Sequence, residues 1–135
     1  MRTLVTALAA TLTVATSAWA HHSFAAEFDG SKIQTITGVL VEFEWKNPHA
    51  YLIVDVTDGG GQPTRWGVQS RNLSILKRQG LSRNTFKAGE MLTIELYHHH
   101  DPAKPIGFAR YITKADGTKY DVIPGGRGGV VPANP

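Results

Sequence analysis

Cysteine is absent from this 135-residue chain. That absence rules out disulfides, thiolate metal sites, cysteine nucleophiles and a lipid-modified N-terminal cysteine, and leaves histidine, carboxylates and backbone groups for chemistry. Blocks of one charge are also missing. The 14 Lys+Arg and 11 Asp+Glu give a net of +3 and are interspersed, whereas nucleic-acid binders concentrate positive charge on one face or element, so no nucleic-acid partner is expected. No phosphate-cradling glycine pattern occurs, because "DGGGQ" at residues 58–62 lacks a following Lys-Ser/Thr and precedes a strand. Ser23 and Ser70 lack the setting of a nucleophile elbow. Glu42 and Glu44 lie two apart on a strand, but alternating charge on the wet face of a half-exposed sheet accounts for them, and there is no third member. No catalytic constellation emerges, and a non-enzymatic protein is expected.

A long hydrophobic run is lacking too. Leu4 to Val14 is rich in Leu, Val and Ala, yet it is diluted with Thr and is shorter than the ~20 apolar residues that cross a bilayer. With Arg2 before it and Ala18-Trp19-Ala20 after it, the segment fits an export signal with a small-x-small cleavage site. The expectation is a signal peptide over 1–20, cleavage after Ala20, and a periplasmic or secreted protein with no membrane anchor. The remaining 115 residues, His21 to Pro135, suit one domain with one core.

Within those residues the hydrophobic period is two. "TGVLVEFEW" (Thr37 to Trp45) alternates, with Val39, Val41, Phe43 and Trp45 on one side and Leu40, Glu42 and Glu44 on the other. "KNPH" interrupts it, since Pro48 cannot donate to a ladder. Further strands are expected over Ala50 to Asp58, Thr64 to Ser70, Glu90 to Tyr97 and Gly107 to Thr113. The Asp116-Gly117 pair signals a hairpin into a sixth, "TKYDVI". Between the third and fourth strands, Asn72 can cap a short helix whose Leu73, Leu76 and Lys77 share a face, and Gly80 can end it. Three strands, one short helix and two or three more strands match a mainly β, five- to six-stranded OB-like barrel over 37–123. An arm over 21–36 precedes it, with Phe24 and Phe28 spaced for one helical turn or for two anchors on the barrel. From Gly125 the composition offers little apolar area, and residues 124–135 are expected to form a disordered Gly/Pro tail.

Chemistry concentrates in the six histidines. They fall at His21 and His22, at His49 in the first loop, and at His98, His99 and His100 after the fourth strand. The loops after the first and fourth strands flank the binding face of an OB-fold, which would let His49 approach the triple run. An all-nitrogen site suits copper, with zinc or nickel ranking lower. If cleavage follows Ala20, His21 supplies an amine of ordinary pKa roughly 7.7 to 8 and an imidazole together, so a metal can displace the amine's proton near neutral pH. His21, His22 and His49 are the leading ligand set, with His98, His99 and His100 a weaker addition; His-rich tracts also bind metal adventitiously. The competing reading is a metal-free envelope module that binds a small ligand or an envelope protein across the loop face, with Tyr51 and Tyr97 as rim. Trp45 and Trp66, among apolar strand neighbours, are assigned to the core.

The start "HHSFAAEFD", the segment "TGVLVEFEWKNPHAYLIVDV", a strand containing Trp66, "LKRQGLSRNTFKAGEMLTIEL" and the closing Asp-Gly hairpin together resemble a family of small exported bacterial proteins of unknown function. The likeness runs from His21 to about Ile123. His21, His22 and Ser23 match its HHS start, Glu44 to Ala50 its EWxNPHA motif, and Trp66 its third strand. The resemblance implies export and a small β-barrel, and it brings no activity. "YHHHDPAKPIG" departs from the family's pattern, so the likeness does not extend to His98, His99 and His100.

Overall fold

A computed structural model describes residues 24–123, 126 and 128–131. The proposed signal segment, His21, His22 and Ser23 lie outside the described residues, as do 124, 125, 127 and 132–135 of the tail. A helical turn, α1, occupies residues 24–27. It leads into β1 (Phe28–Glu44), β2 (Tyr51–Val56), β3 (Thr64–Gln69), helix α2 (Leu73–Arg78), β4 (Met91–His99), β5 (Ile106–Lys114), β6 (Lys119–Asp121) and β7 (Gly129–Val131).

The strands form one sheet in the order β3-β2-β1-β4-β5-β6-β7. Its neighbours pair antiparallel, and a parallel pairing of β3 with β5, Gly67 to Gln69 against Ile106 to Phe108, returns the first strand to the fifth. Hydrogen bonds therefore run in a ring through β1, β2, β3, β5 and β4, with α2 between β3 and β4. This is the OB-like order expected from the sequence.

The strands of the ring bury alternate residues, most regularly in β2 and β4, because successive side chains point to opposite faces. Leu52, Val54 and Val56 of β2, Trp66 and Val68 of β3, and Leu92, Ile94 and Leu96 of β4 fill the ring, while Trp45 packs half-buried against them. The α2 cap is as anticipated: Asn72 accepts a hydrogen bond from the Ile75 amide at 3.0 Å, and Leu76 is fully buried. Gly80 takes φ of +82°, a left-handed value that costs glycine nothing, and its amide closes on the Lys77 carbonyl.

The structure corrects four sequence-based expectations. In β1, Leu40 is buried and Val39 is 40% exposed, because a bulge between Leu40 and Glu42 inserts one residue and reverses the alternation part-way along the strand. β1 also begins at Phe28 rather than Thr37, since the β-branched stretch Ile33 to Thr37 pairs with β4 and turns most of the expected arm into strand. β4 runs on through His98 and His99, which were placed in a loop. Within the expected tail, Gly129–Val131 pairs with β6. Val130 is 59% exposed there, so backbone pairing rather than side-chain burial supports that strand.

Candidate functional site

The α1 turn and the first residue of β1 dock on the outer face of β4 and β5. Phe24 lies 5.6 Å from Phe28 and 5.4 Å from both Tyr97 and Phe108, and Phe28 lies 5.6 Å from Phe108. Three of these four pairs meet edge to face, the geometry favoured by the ring quadrupole, and Phe28 and Phe108 are buried. This aromatic cluster lies outside the ring and forms a second, smaller packing centre.

The triple histidine run is structural, and its last member fastens the same turn. His100 donates its amide to the Glu27 carbonyl at 3.1 Å, and its Nε2 meets the Ala25 carbonyl at 2.7 Å. A carbonyl only accepts, so Nε2 carries the proton and donates. His99 Nδ1 accepts from the Asp101 amide at 2.8 Å and closes the turn after β4. The His98 ring is buried edge-on to Trp66 at 5.4 Å, with Nδ1–H donating to the His99 carbonyl at 2.8 Å. Each imidazole has a distinct structural partner.

His49 sits half-buried in the loop between β1 and β2. That loop contains a cis Asn47–Pro48 bond, and it is tied to the entry of α2 because Asn47 Oδ1 accepts from the Leu73 amide at 3.2 Å. The Ala50 amide donates to the Arg71 carbonyl and the Ser70 amide to the Ala50 carbonyl. Two residues on, Tyr51 donates its hydroxyl to Gln69 Oε1 at 2.8 Å. Burial pushes the Tyr51 phenol above its ordinary value, and the Glu27 carboxylate pushes it the same way, against the pull of Lys46. Glu27 of the docked turn therefore acts on Tyr51, the first residue of β2.

His49 and the triple run stand at different strands of the ring: β1 lies between β4 and β2 on one side, and β5 and β3 lie between them on the other. Among the described residues no three His, Asp or Glu side chains converge as a metal-holding group. Neither rim tyrosine is a free edge: Tyr51 is half-buried with its hydroxyl engaged, and Tyr97 lies between Phe24 and the Arg110 guanidinium, 5.0 Å from its ring centroid. Arg110 was not anticipated from the sequence. It pairs with Glu95 and lies over Tyr97 and Tyr111, at a bulge in β4–β5 pairing that no local pattern announces.

The fold and this face define a small β protein of OB-like strand order in which an N-terminal turn is fastened to the outside of the ring. The chain belongs to a family of unknown function, DUF6152, whose family model matches residues 9–107. No curated protein and no solved structure matches the chain significantly.

Proposed function

We propose that this is an exported protein that binds a transition metal, copper foremost, through the amine and imidazole of His21 together with His22 and His49. Signal removal after Ala20 creates the amine. One observation supports this arrangement above others: the turn beginning at Phe24 is held in place by the aromatic cluster and by His100. Three extended residues span about 10 Å, so a chain anchored at Phe24 lets His21 search a small volume rather than a large one. Anchoring in advance lowers the ordering cost of ligation. The neutral imidazoles and the deprotonated amine form an all-nitrogen donor set, which ranks copper above nickel and zinc. Binding or delivery of the ion in the periplasm is the role this site suits, with no reaction step assigned to it.

The test is calorimetric titration of Cu(II) into protein whose first residue is confirmed as His21 by mass spectrometry of envelope-derived material. A form carrying one extra N-terminal residue and the His49→Ala variant are measured alongside. Outer-shell groups alone are worth about 10–100-fold in metal affinity, so loss of a ligand is expected to weaken binding by at least about tenfold in both. Equal affinity in all three proteins overturns the site.

A further inference from the structure

β1 is longer than the strand beside it. β4 pairs with it from Phe28 to Val39, but β2 covers only Val39 to Glu44. Residues 29–38 therefore have a second edge on which no described strand pairs. Their hydrogen-bonding sense follows from one point: the Leu40 amide donates to Glu90 and the Leu40 carbonyl accepts from Gly89, so even-numbered residues address β4. The register from Ile33 to Val39 is unbroken. The amides and carbonyls of Ile33, Thr35 and Thr37 consequently point to the open edge.

Three further observations bear on what fits there. Ile33, Val39 and Met91 are 52%, 40% and 47% exposed, and Val39 and Met91 are paired neighbours. Ile33, Thr35, Thr37 and Val39 share the outer face by alternation, and Thr37 is joined to Thr93 of β4 through their hydroxyls at 3.0 Å. A groove of about 490 Å³ runs along the edge between β1 and the end of β2, lined in part by Gln34, Gly38, Asp55 and Asp58. The edge lacks proline, and its one basic residue is Lys32, whose side chain is 58% exposed and whose ammonium lies 3.5 Å from the Asp29 carboxylate. Exposed edges of this length are templates for another strand unless charge, proline or a bulge blunts them.

We infer that this edge joins two copies of the chain, β1 to β1, antiparallel about a twofold axis at Thr35. Self-association through one patch requires that patch to complement itself, and this register does so. Thr35 faces the partner's Thr35 and Ile33 faces the partner's Thr37, so these pairs are of the kind that exchanges both backbone bonds, alternating with pairs such as Gln34 opposite the partner's Ile36 that exchange none. The partner's Ile33 lands on the outer face opposite Thr37 and diagonal to the exposed Val39. On the opposite face, the partner's Lys32 comes opposite Gly38 and reaches toward the acidic end formed by Asp55 and Asp58. Arg65 already pairs with Asp55 at 2.8 Å, which leaves Asp58 as the carboxylate that receives the lysine. Shifting the register by one residue would pair edge-pointing groups with inward-pointing ones and carry Ile33 away from the apolar face.

The absence of cysteine gives a clean test in the full chain. Cα atoms of a hydrogen-bonded antiparallel pair lie about 5.5 Å apart, inside the range a disulfide spans. Thr35→Cys is expected to form a disulfide-linked dimer rapidly under mild oxidation, and Thr37→Cys, displaced from the axis, to do so far more slowly. In sedimentation equilibrium the parent protein is expected to approach twice the chain mass as concentration rises. Lys32→Glu should remain at one chain mass, and Lys32→Glu combined with Asp58→Lys should regain the dimer. Lys32 and Asp58 are exposed, so these exchanges test the contact rather than folding. One chain mass at every concentration, or Thr35→Cys crosslinking no faster than Thr37→Cys, overturns the inference.

Discussion

Truncating Phe28 tests whether the N-terminal turn belongs to the cooperative fold. The ring is 2% exposed, touches Phe24 and Phe108 at 5.6 Å, and begins the strand that continues into the core at Ile36 and Leu40. Phe→Ala in a packed site costs about 3–5 kcal/mol from lost transfer energy and the cavity left behind. The contact with Phe108 is edge to face, and such pairs add about 0.5–1.5 kcal/mol beyond area. A loss of about 4 kcal/mol is therefore expected for Phe28→Ala, a large share of the ~5–15 kcal/mol that holds a domain. With a urea slope of roughly 1–3 kcal/mol/M, the unfolding midpoint should fall by about 2 M with the slope unchanged. Far-ultraviolet circular dichroism measures the first quantity and tryptophan fluorescence checks that both probes move together. A cost under about 1 kcal/mol, the scale of an ordinary substitution, would refute the reasoning, as would a two-phase transition in which the turn detaches first. Either result would also remove the anchoring on which the metal reading depends.

Two other outcomes follow from single positions. A Cβ on Gly38 would come within 2.4 Å of the Asp55 carbonyl oxygen and 2.8 Å of Val54 Cγ1, so Gly38→Ala is expected to cost about 1–3 kcal/mol in thermal unfolding; an unchanged midpoint would contradict the close approach of β1 and β2 there. The hydroxyl and amide of Ser31 hold the Asp29 carboxyl at about 2, below its usual 3.8, with Lys32 assisting. Because the folded value is the lower one, that turn's contribution is complete above about pH 4 and disappears as pH falls through about 2. Carbon-detected NMR of the Asp29 carboxyl should give a midpoint near 2, and a midpoint at the ordinary carboxylate value would show that the Ser31 contacts are not formed in solution.

What was legible in the sequence was what local patterning encodes. Alternation located β2 to β5, the Asn72 cap and Gly80 bounded α2, and the Asp116-Gly117 pair marked the hairpin into β6. Alternation fails where one residue is inserted, and a single bulge after Leu40 was enough to reverse which valines face inward. The parallel closure of β3 on β5 has no local signal at all, being fixed by strands some forty residues apart. β7 escaped notice because a strand of Gly-Val-Val that buries little depends on the free edge of β6, which the tail's own composition does not reveal.

The histidines show the same limit in chemical form. Imidazole announces that a residue can ligate or hydrogen-bond, and its neighbours in space decide which. His100 finds the Ala25 carbonyl across a separation of 75 residues, so no reading of "YHHHD" could assign it as a fastener. A metal that bound at His98, His99 and His100 would have to break contacts that hold Trp66, the turn after β4 and the α1 segment in place, at about 1 kcal/mol for each hydrogen bond and more for the packing released with it. The triple run and the metal proposal are thus connected through the arm: His100, which looks like a ligand in the sequence, fastens the turn at Ala25 and Glu27.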